Sequence, residues 1–247
     1  MMRVRSKGCS KTLMVELASQ NRKRGHVKLQ PLGDRAILVV FGTELQLNAN
    51  RQAIQFTKIV EEKLTPLIIG ANSNLLSCLV RYDPKRVAYA TLRQELQMLL
   101  ASFDLEKLRA HEGNKIHEIE ITYGGDAGPD FENVHSNLKL SAAEFIEQHT
   151  ALPLDVLALG FSPGFFYLGL HENWRDFPRR TELRENVPPG SVLFAAGQTA
   201  ITSVPIRTGW SVIGHCDLNN FDVHIDPPVK LRPGDFVELS AKGQGNE

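Results

Sequence analysis

The spacing of apolar positions changes character several times along the chain. Ala36-Ile37-Leu38-Val39-Val40-Phe41 is an unbroken apolar run closed by Gly42, the pattern of a buried strand. Asn48 can cap the next element. Ala53, Phe56, Val60 and Leu64 then recur at spacings of three and four, one face of a helix that Pro66 stops. Leu67-Ile68-Ile69 reads as a resumed extended run, and Gly70-Ala71-Asn72-Ser73-Asn74 as a turn. Leu76, Cys78, Val80 and Tyr82 alternate as a strand should, up to Asp83-Pro84. Thr91-Leu92-Arg93-Gln94 has capping-box spacing and opens a second helix, with Leu92, Leu96, Leu99 and Phe103 as its buried stripe. This β-α-β-β-α order predicts a small α+β domain over 29–112: a ferredoxin-like layer, with two helices on one face of a mainly antiparallel sheet. A fourth strand is needed. Ile116–Tyr123 either supplies it or opens the next domain, and the polar stretch 106–114 is the expected boundary.

Beyond residue 113 the period shortens. His117, Ile119, Ile121 and Tyr123 alternate with polar residues, a half-buried strand on which His117 has a packing role. Ser141-Ala142-Ala143-Glu144 is a second capping box, opening a helix to about Thr150. Residues 156–170 are apolar on both faces around Pro163-Gly164, which suits the centre of a type II turn and so a buried hairpin. Short apolar runs at 192–196, 210–214 and 235–239, punctuated by Gly and Pro, complete a β-rich domain over 113–247 that predicts a closed or nearly closed barrel.

Composition narrows the picture. The 247 residues are 42% hydrophobic and 23% charged, a globular profile whose length favours two domains of ordinary size. Lys+Arg and Asp+Glu both total 28, so the chain lacks the cationic excess needed to coat nucleic acid. That balance is uneven, since residues 1–28 hold eight basic side chains against Glu16. This segment reads as a basic, disordered extension or an arm for an anionic surface, without the apolar core of a secretion signal. Cys9, Cys78 and Cys216 are too few and too scattered for a disulfide framework or a zinc site. We therefore expect a reducing, cytoplasmic setting and no metal. The longest uncharged stretch, 186–206, is broken by prolines and glycines and cannot be a bilayer helix.

Three stretches carry candidate chemistry. Tyr123-Gly124-Gly125-Asp126-Ala127-Gly128-Pro129-Asp130 joins a strand to a helix start, as a phosphate cradle does. It matches neither dinucleotide nor P-loop patterns, and Asp126, Asp130 and Glu132 would repel phosphate, so a structural turn is the stronger reading. Ser162 lies in Gly-Phe-Ser-Pro-Gly, which is not a nucleophile elbow because proline follows the serine. Arg179, Arg180 and Arg184 offer guanidinium forks for carboxylate or phosphate; the competing reading pairs them with Asp176, Glu182 and Glu185 at the surface.

Taken in order, these segments resemble the family of KipI, the B-type subunit of 5-oxoprolinase, and allophanate hydrolase subunit 1. The match is weak in Leu32-Gly33-Asp34-Arg35 and Val80-Arg81-Tyr82-Asp83-Pro84. It is strong in Tyr123-Gly124-Gly125 with Gly128-Pro129-Asp130, Gly160-Phe161-Ser162-Pro163-Gly164-Phe165-Phe166-Tyr167-Leu168, Pro178-Arg179-Arg180, Val187-Pro188-Pro189-Gly190-Ser191-Val192, and Gly197-Gln198-Thr199 followed by Gly209-Trp210. The resemblance implies an N-terminal α+β domain and a C-terminal cyclophilin-like β-barrel. It also implies a role as one subunit of an ATP-dependent 5-oxoprolinase that opens 5-oxoproline to glutamate and is inactive alone. The implied partners are a second cyclophilin-like subunit, of the C type, and a TIM-barrel-like subunit, of the A type, with ATP and its Mg acting at the level of the complex. The alternatives implied are a histidine-kinase inhibitor module and an allophanate or urea carboxylase type of subunit. On this reading Arg179, Arg180 and Arg184 contact an anion, Gln198 and Thr199 are polar donors, and Phe161, Phe165, Tyr167 and Trp210 are walls. No nucleophile or general base is assigned. The chain departs from the family pattern at Leu183-Arg184, at Thr202-Ser203, and at Ile206-Arg207-Thr208-Gly209-Trp210.

Overall fold

The computed structural model describes residues 27–102 and 115–243. Phe103, the 106–114 boundary, Cys9 and nearly all of the basic segment lie outside these residues.

The first unit contains four strands: β1 (Lys28–Pro31), β2 (Ala36–Val40), β3 (Gly70–Ser73) and β4 (Ser77–Arg81). They form one antiparallel sheet in the order β1-β2-β4-β3. Two helices accompany it, α1 (Leu47–Leu64) and α2 (Tyr89–Ser102). Ala53, Phe56, Val60 and Leu64 of α1 and Leu92 and Leu96 of α2 join Ile37, Val39, Cys78 and Val80 in one core. The fourth strand is β1, at the edge beside β2, whereas Ile116–Tyr123 belongs to the second unit.

Three local expectations are corrected. The strand after α1 is Gly70–Ser73, not residues 67–69. As the sheet edge it buries only Ala71, so it does not need the apolar run. Helix α1 starts at Leu47 behind Gln46, which makes no side-chain cap bond, rather than behind Asn48. Helix α2 starts at Tyr89, which places Thr91 inside it rather than at its cap.

The second unit is built on β5 (Ile116–Tyr123), β6 (Leu154–Leu159), β7 (Phe166–Gly169), β9 (Ser191–Ala195), β10 (Gln198–Ile201), β12 (Ser211–His215) and β13 (Phe236–Ala241). These seven strands close into a barrel in the order β10-β7-β6-β13-β5-β12-β9. Pairing is antiparallel except between β5 and β13. All seven strands contribute to the interior, for example Ile121, Val156, Phe166, Phe194, Ile201, Ile213 and Val237.

Helices α3 (Phe131–Asn137) and α4 (Ala142–Thr150) add Phe131, Val134 and Phe145 to that core. The expected capping box opens α4: Glu144 N–H donates to Ser141 Oγ, and Ser141 N–H donates to Glu144. A two-stranded sheet of β8 (Arg184–Val187) with β11 (Ile206–Thr208) has no counterpart in the sequence pattern. Val187 and Ile206 pack it onto Phe165, Leu193, Ala200 and Val212, residues that alternate with interior ones on the barrel strands. The 156–170 hairpin is therefore apolar on both faces because both are covered, one by the barrel interior and the other by this second cluster.

The two units touch where α1 meets β6. Asn50 Nδ2 donates to Leu157 O at 2.9 Å, and Arg51 forks onto Asp155 at 2.9 and 3.1 Å.

Candidate functional site on the barrel face

Strand alternation sorts the expected site residues. Phe166 and Leu168 of β7 point into the barrel, so Phe165 and Tyr167 lie on the outer cluster. There the rings form a row: Phe161 to Phe165 at 5.4 Å, Phe165 to Tyr167 at 4.9 Å, and Tyr167 to Trp210 at 5.9 Å between centroids. Arg179 closes the row, its Cζ 5.7 Å from the centroid of Trp210, a cation–π placement. Burial raises the Tyr167 phenol pKa, and the charge of Arg179 opposes that rise.

The row begins at a constrained turn. Gly164 has φ +70°, as the third position of a type II turn requires, and a Cβ there would lie 2.6 Å from Phe221 Cβ. Its carbonyl accepts from Ser203 Oγ and Asn220 Nδ2, both at 3.0 Å. Thr202 Oγ1 donates to Pro188 O at 2.7 Å. The Thr202-Ser203 departure from the family pattern thus ties two motif turns together. Phe161 has φ +78° and is 70% exposed, so the turn presents an aromatic ring to solvent from a backbone region that L-residues rarely occupy.

The three arginines divide. Arg184 donates Nε to Asp130 Oδ2 at 2.8 Å and Nη2 to Oδ1 at 2.6 Å, and Arg180 Nη1 also donates to Oδ1. Asp130 is 3% exposed and accepts a further bond from Val212 N–H. Burial alone would raise its pKa, but the hydrogen bonds from Arg184 and Val212 and the charges of Arg184 and Arg180 hold it below the usual carboxylate range. The acid that pairs with this cluster is therefore Asp130. Glu185 pairs instead with Arg207, and Glu182 offers Arg180 only its backbone carbonyl. Arg179 makes no ion pair with a described residue within 4 Å, which leaves it as the member of the trio oriented by an aromatic ring rather than a carboxylate.

Gln198 and Thr199 point to opposite faces of β10. Thr199 is fully buried and shares a hydrogen bond with His149 Nε2 at 2.7 Å inside the barrel, so it cannot serve the outer face as expected. Gln198 shares the outer face with Ala200, and its Oε1 is buried without a hydrogen-bond partner.

The Gly124–Gly128 turn is structural. Gly124 N–H donates to Ile213 O, Gly128 N–H to Gly124 O and Asp130 N–H to Val212 O, so these amides are spent on backbone carbonyls. A Cβ on Gly128 would lie 2.2 Å from Ile213 O, which is why this position takes glycine. His117 does have an acid beside it: Nε2 is 3.1 Å from Asp235 Oδ2, a pairing across 118 residues that local sequence cannot display. Asp130 is visible in the Gly-Pro-Asp motif, but its role is not. His149 and His171 give only the signal of histidines near apolar positions. Among the described residues no group of three or more His, Cys, Asp or Glu could hold a metal ion, and no helix is long and apolar enough to cross a membrane.

Comparison with known proteins agrees with this architecture. Residues 27–231 match the family model described as carboxyltransferase domain, subdomain C and D. The B-type subunit of 5-oxoprolinase from Bacillus subtilis is 34% identical over 226 residues, 87% of this chain and 94% of that protein. Its Escherichia coli O157:H7 counterpart is 41% identical over 128 residues, 52% of this chain and 59% of that one. The crystal structure of TTHA0988 superposes with TM-score 0.72 at 28% identity, covering 86% of this chain; the chain spans only 41% of that longer protein. The urea amidolyase of Kluyveromyces lactis shares the fold, with TM-score 0.70 at 18% identity over 90% of this chain and 15% of its own length.

Proposed function

We infer the function from a premise that these matches establish: the chain belongs to the family of 5-oxoprolinase B-type subunits and carries its carboxyltransferase domain, subdomain C and D. On that premise it is one subunit of a 5-oxoprolinase, which with partner subunits converts 5-oxoproline to glutamate at the expense of ATP. The carrying observation is the near full-length similarity to the Bacillus subtilis protein.

The geometry supports a subunit rather than a complete enzyme. Aromatic walls and one available guanidinium, Arg179, converge on an outer barrel face. The exposed hydroxyl that meets a carboxylate, Ser141 on Glu144, is spent on the capping box of α4. Thr199 and His149 are within hydrogen-bond distance, but both are fully buried and beyond a substrate's reach. Arg179 is suited to the carboxylate of a 5-oxoproline-like substrate, with Tyr167 and Trp210 against the ring.

Exposed Phe161 at the end of the row is suited to burial against another chain, as aromatic anchors at interfaces are. The proposed partners are two further subunits, one cyclophilin-like and one TIM-barrel-like. In the glycine turn that might cradle a triphosphate, the amides of Gly124, Gly128 and Asp130 are bonded to backbone carbonyls, which speaks against that turn as the nucleotide site. The nucleotide and its Mg are proposed to act at the level of the assembled complex. Co-expression with the partner subunits and assay of 5-oxoproline-dependent ADP release tests the proposal. A folded, assembled complex without turnover would reject it.

A further inference from the structure

Two opposite charges border one cavity without meeting each other. The cavity, of about 380 Å³, lies between α3 and the segment that follows the turn Glu172–Trp174. Asp176 and Arg179 both line it, and neither forms an ion pair with a described residue. Arg180 lines it too, but is held by Nη1 on buried Asp130 and by Nε on Glu182 O. The charges left free around this cavity are therefore one carboxylate and one guanidinium.

The backbone between them explains why they do not pair. Phe177 N–H donates to Trp174 O, Phe177 O accepts from Ala196 N–H at 2.8 Å, and Arg180 N–H donates to Gly209 O at 2.7 Å. Phe177 is buried, and Pro178 fixes a further dihedral angle. The Arg179 guanidinium is drawn instead toward the ring of Trp210. The segment is thus tied on both sides of the two charges, and a ligand that meets them does not have to break an existing ion pair.

The remaining lining is aromatic and carboxamide. Trp174 and Phe177 are the buried aromatic part. Asn137 Nδ2 donates to Asn133 O at 2.7 Å and to Asn133 Oδ1 at 2.8 Å. That leaves Asn133 Nδ2 as a donor and Asn137 Oδ1 as an acceptor, and Asn173 adds a third carboxamide.

Charge selects the class of ligand. A simple anion would engage Arg179 and be opposed by Asp176, and a simple cation would meet the reverse. A neutral molecule would use neither charge. A zwitterion uses both, and an anionic side chain on it would bring a second negative charge toward Asp176. We propose that this cavity binds a free α-amino acid with a neutral polar side chain. Its carboxylate accepts from Arg179, its ammonium donates to Asp176, and its side chain bonds the asparagines. Tyr167 and Trp210 do not line the cavity, so the site is distinct from the barrel face and goes beyond the oxoprolinase reading, with Arg179 bordering both.

The chain has two tryptophans, Trp174 in the lining and Trp210 outside it, so the indole N–H signals report the site directly. The test is an NMR titration of the full ¹⁵N-labelled chain with L-asparagine, with Trp210→Leu used to assign the Trp174 signal. The expected result is a saturable shift at Trp174. Affinity should fall about tenfold for N-acetyl-L-asparagine, which lacks the ammonium, and for L-asparaginamide, which lacks the carboxylate, the loss of one charge-assisted contact in each case. L-Aspartate should also bind more weakly than L-asparagine. Asp176→Asn, at an exposed position that the fold does not depend on, should weaken L-asparagine about tenfold and leave N-acetyl-L-asparagine unchanged. No saturable shift at Trp174, undiminished binding of any of the three analogues, or L-asparagine binding indifferent to Asp176→Asn overturns the proposal. The titration uses the chain alone, whereas ADP release is read from the assembled complex, so failure here and failure of the oxoprolinase reading are distinguishable.

Discussion

Asp130 and Arg184 meet through two parallel hydrogen bonds, 2.8 and 2.6 Å long, with the carboxylate buried and the guanidinium half-buried. The pair joins the first residues of β8 to the start of α3, and Val212 N–H adds β12 to the same carboxylate. Arg180, the immediate neighbour of Arg179, is held there too. The positioning of Arg179 over Trp210 thus depends on a carboxylate far earlier in the chain.

Replacing that carboxylate should be costly. Asp130→Ala is expected to destabilise the chain by about 3 kcal/mol, at the low end for removing one member of a buried pair because the arginines retain some solvent. Urea denaturation measures it. The pH dependence has a definite sign. A depressed folded pKa contributes stability above the unfolded value of about 3.9, and that contribution is lost as pH falls through the folded value. Wild type should therefore lose stability below about pH 4 more steeply than the variant.

Glycine substitutions should separate close packing from backbone preference. Gly128→Ala forces a Cβ to 2.2 Å from a backbone carbonyl, so β12 or the turn must shift, at an expected cost of about 3 kcal/mol or more. Gly125, three residues earlier, has φ +54° and open space around it, so Gly125→Ala should cost only about 1–2 kcal/mol. Equal thermal shifts for the two variants would contradict this reading of the turn.

The contrast between these glycines also shows what a sequence can convey. Strand and helix periodicity locates the buried stripes of α1 and β4, both faces of the 156–170 hairpin, and the capping box of α4, because each is set by neighbours close in the chain. The edge strand Gly70–Ser73 stays hidden, since an edge needs little apolar surface. The partner of Arg184, the acid beside His117, and the turn of Thr199 into the barrel all depend on contacts across 50 residues or more. Residue type identifies the arginines and aromatics as a group. Only the fold shows that one arginine faces an aromatic ring while the other two are held by a buried acid.

Arg179 is the test of the barrel face. In the assembled complex, Arg179→Ala is expected to raise KM for 5-oxoproline about tenfold, the loss of one charge-assisted contact. Arg179→Lys keeps the charge but not the planar stack on Trp210, so it should recover only part of that loss. Trp210→Leu should resemble Arg179→Lys. An unchanged KM in all three would remove this face from substrate binding.

The contact between the units offers an independent measurement. Arg51 is partly exposed and Asp155 largely buried, and their fork stands beside the Asn50 bond as a side-chain link between α1 and β6. A double-mutant cycle of Arg51→Ala and Asp155→Ala should give a coupling energy of about 1 kcal/mol, toward the upper limit for surface pairs because the geometry is bidentate. Arg51→Ala should also increase proteolytic cleavage between the units. A coupling of zero would mean that Asn50 and apolar packing hold them together without the ion pair.

The stacked histidines make the last prediction, which concerns acid stability. Both are neutral in the fold with pKa values below the unfolded value of about 6.5, His171 at about 4 and His149 also well below its ordinary range. The unfolded chain therefore binds more protons as pH falls below 6.5, and the folded state loses stability. Each histidine contributes a slope of about 1.4 kcal/mol per pH unit between its two pKa values, so together they should produce a steep fall between about pH 6 and 4. Above pH 7 neither contributes. His149→Phe fits the aromatic surroundings of Phe145, Trp174 and Phe194 and removes one titrating group, so it should roughly halve the slope in that window. It leaves the Tyr123 hydroxyl without its acceptor, so some stability is lost at every pH. The change in slope, read from denaturation midpoints across pH, distinguishes titration from that constant loss. An unchanged slope would mean that His149 is already protonated in the fold.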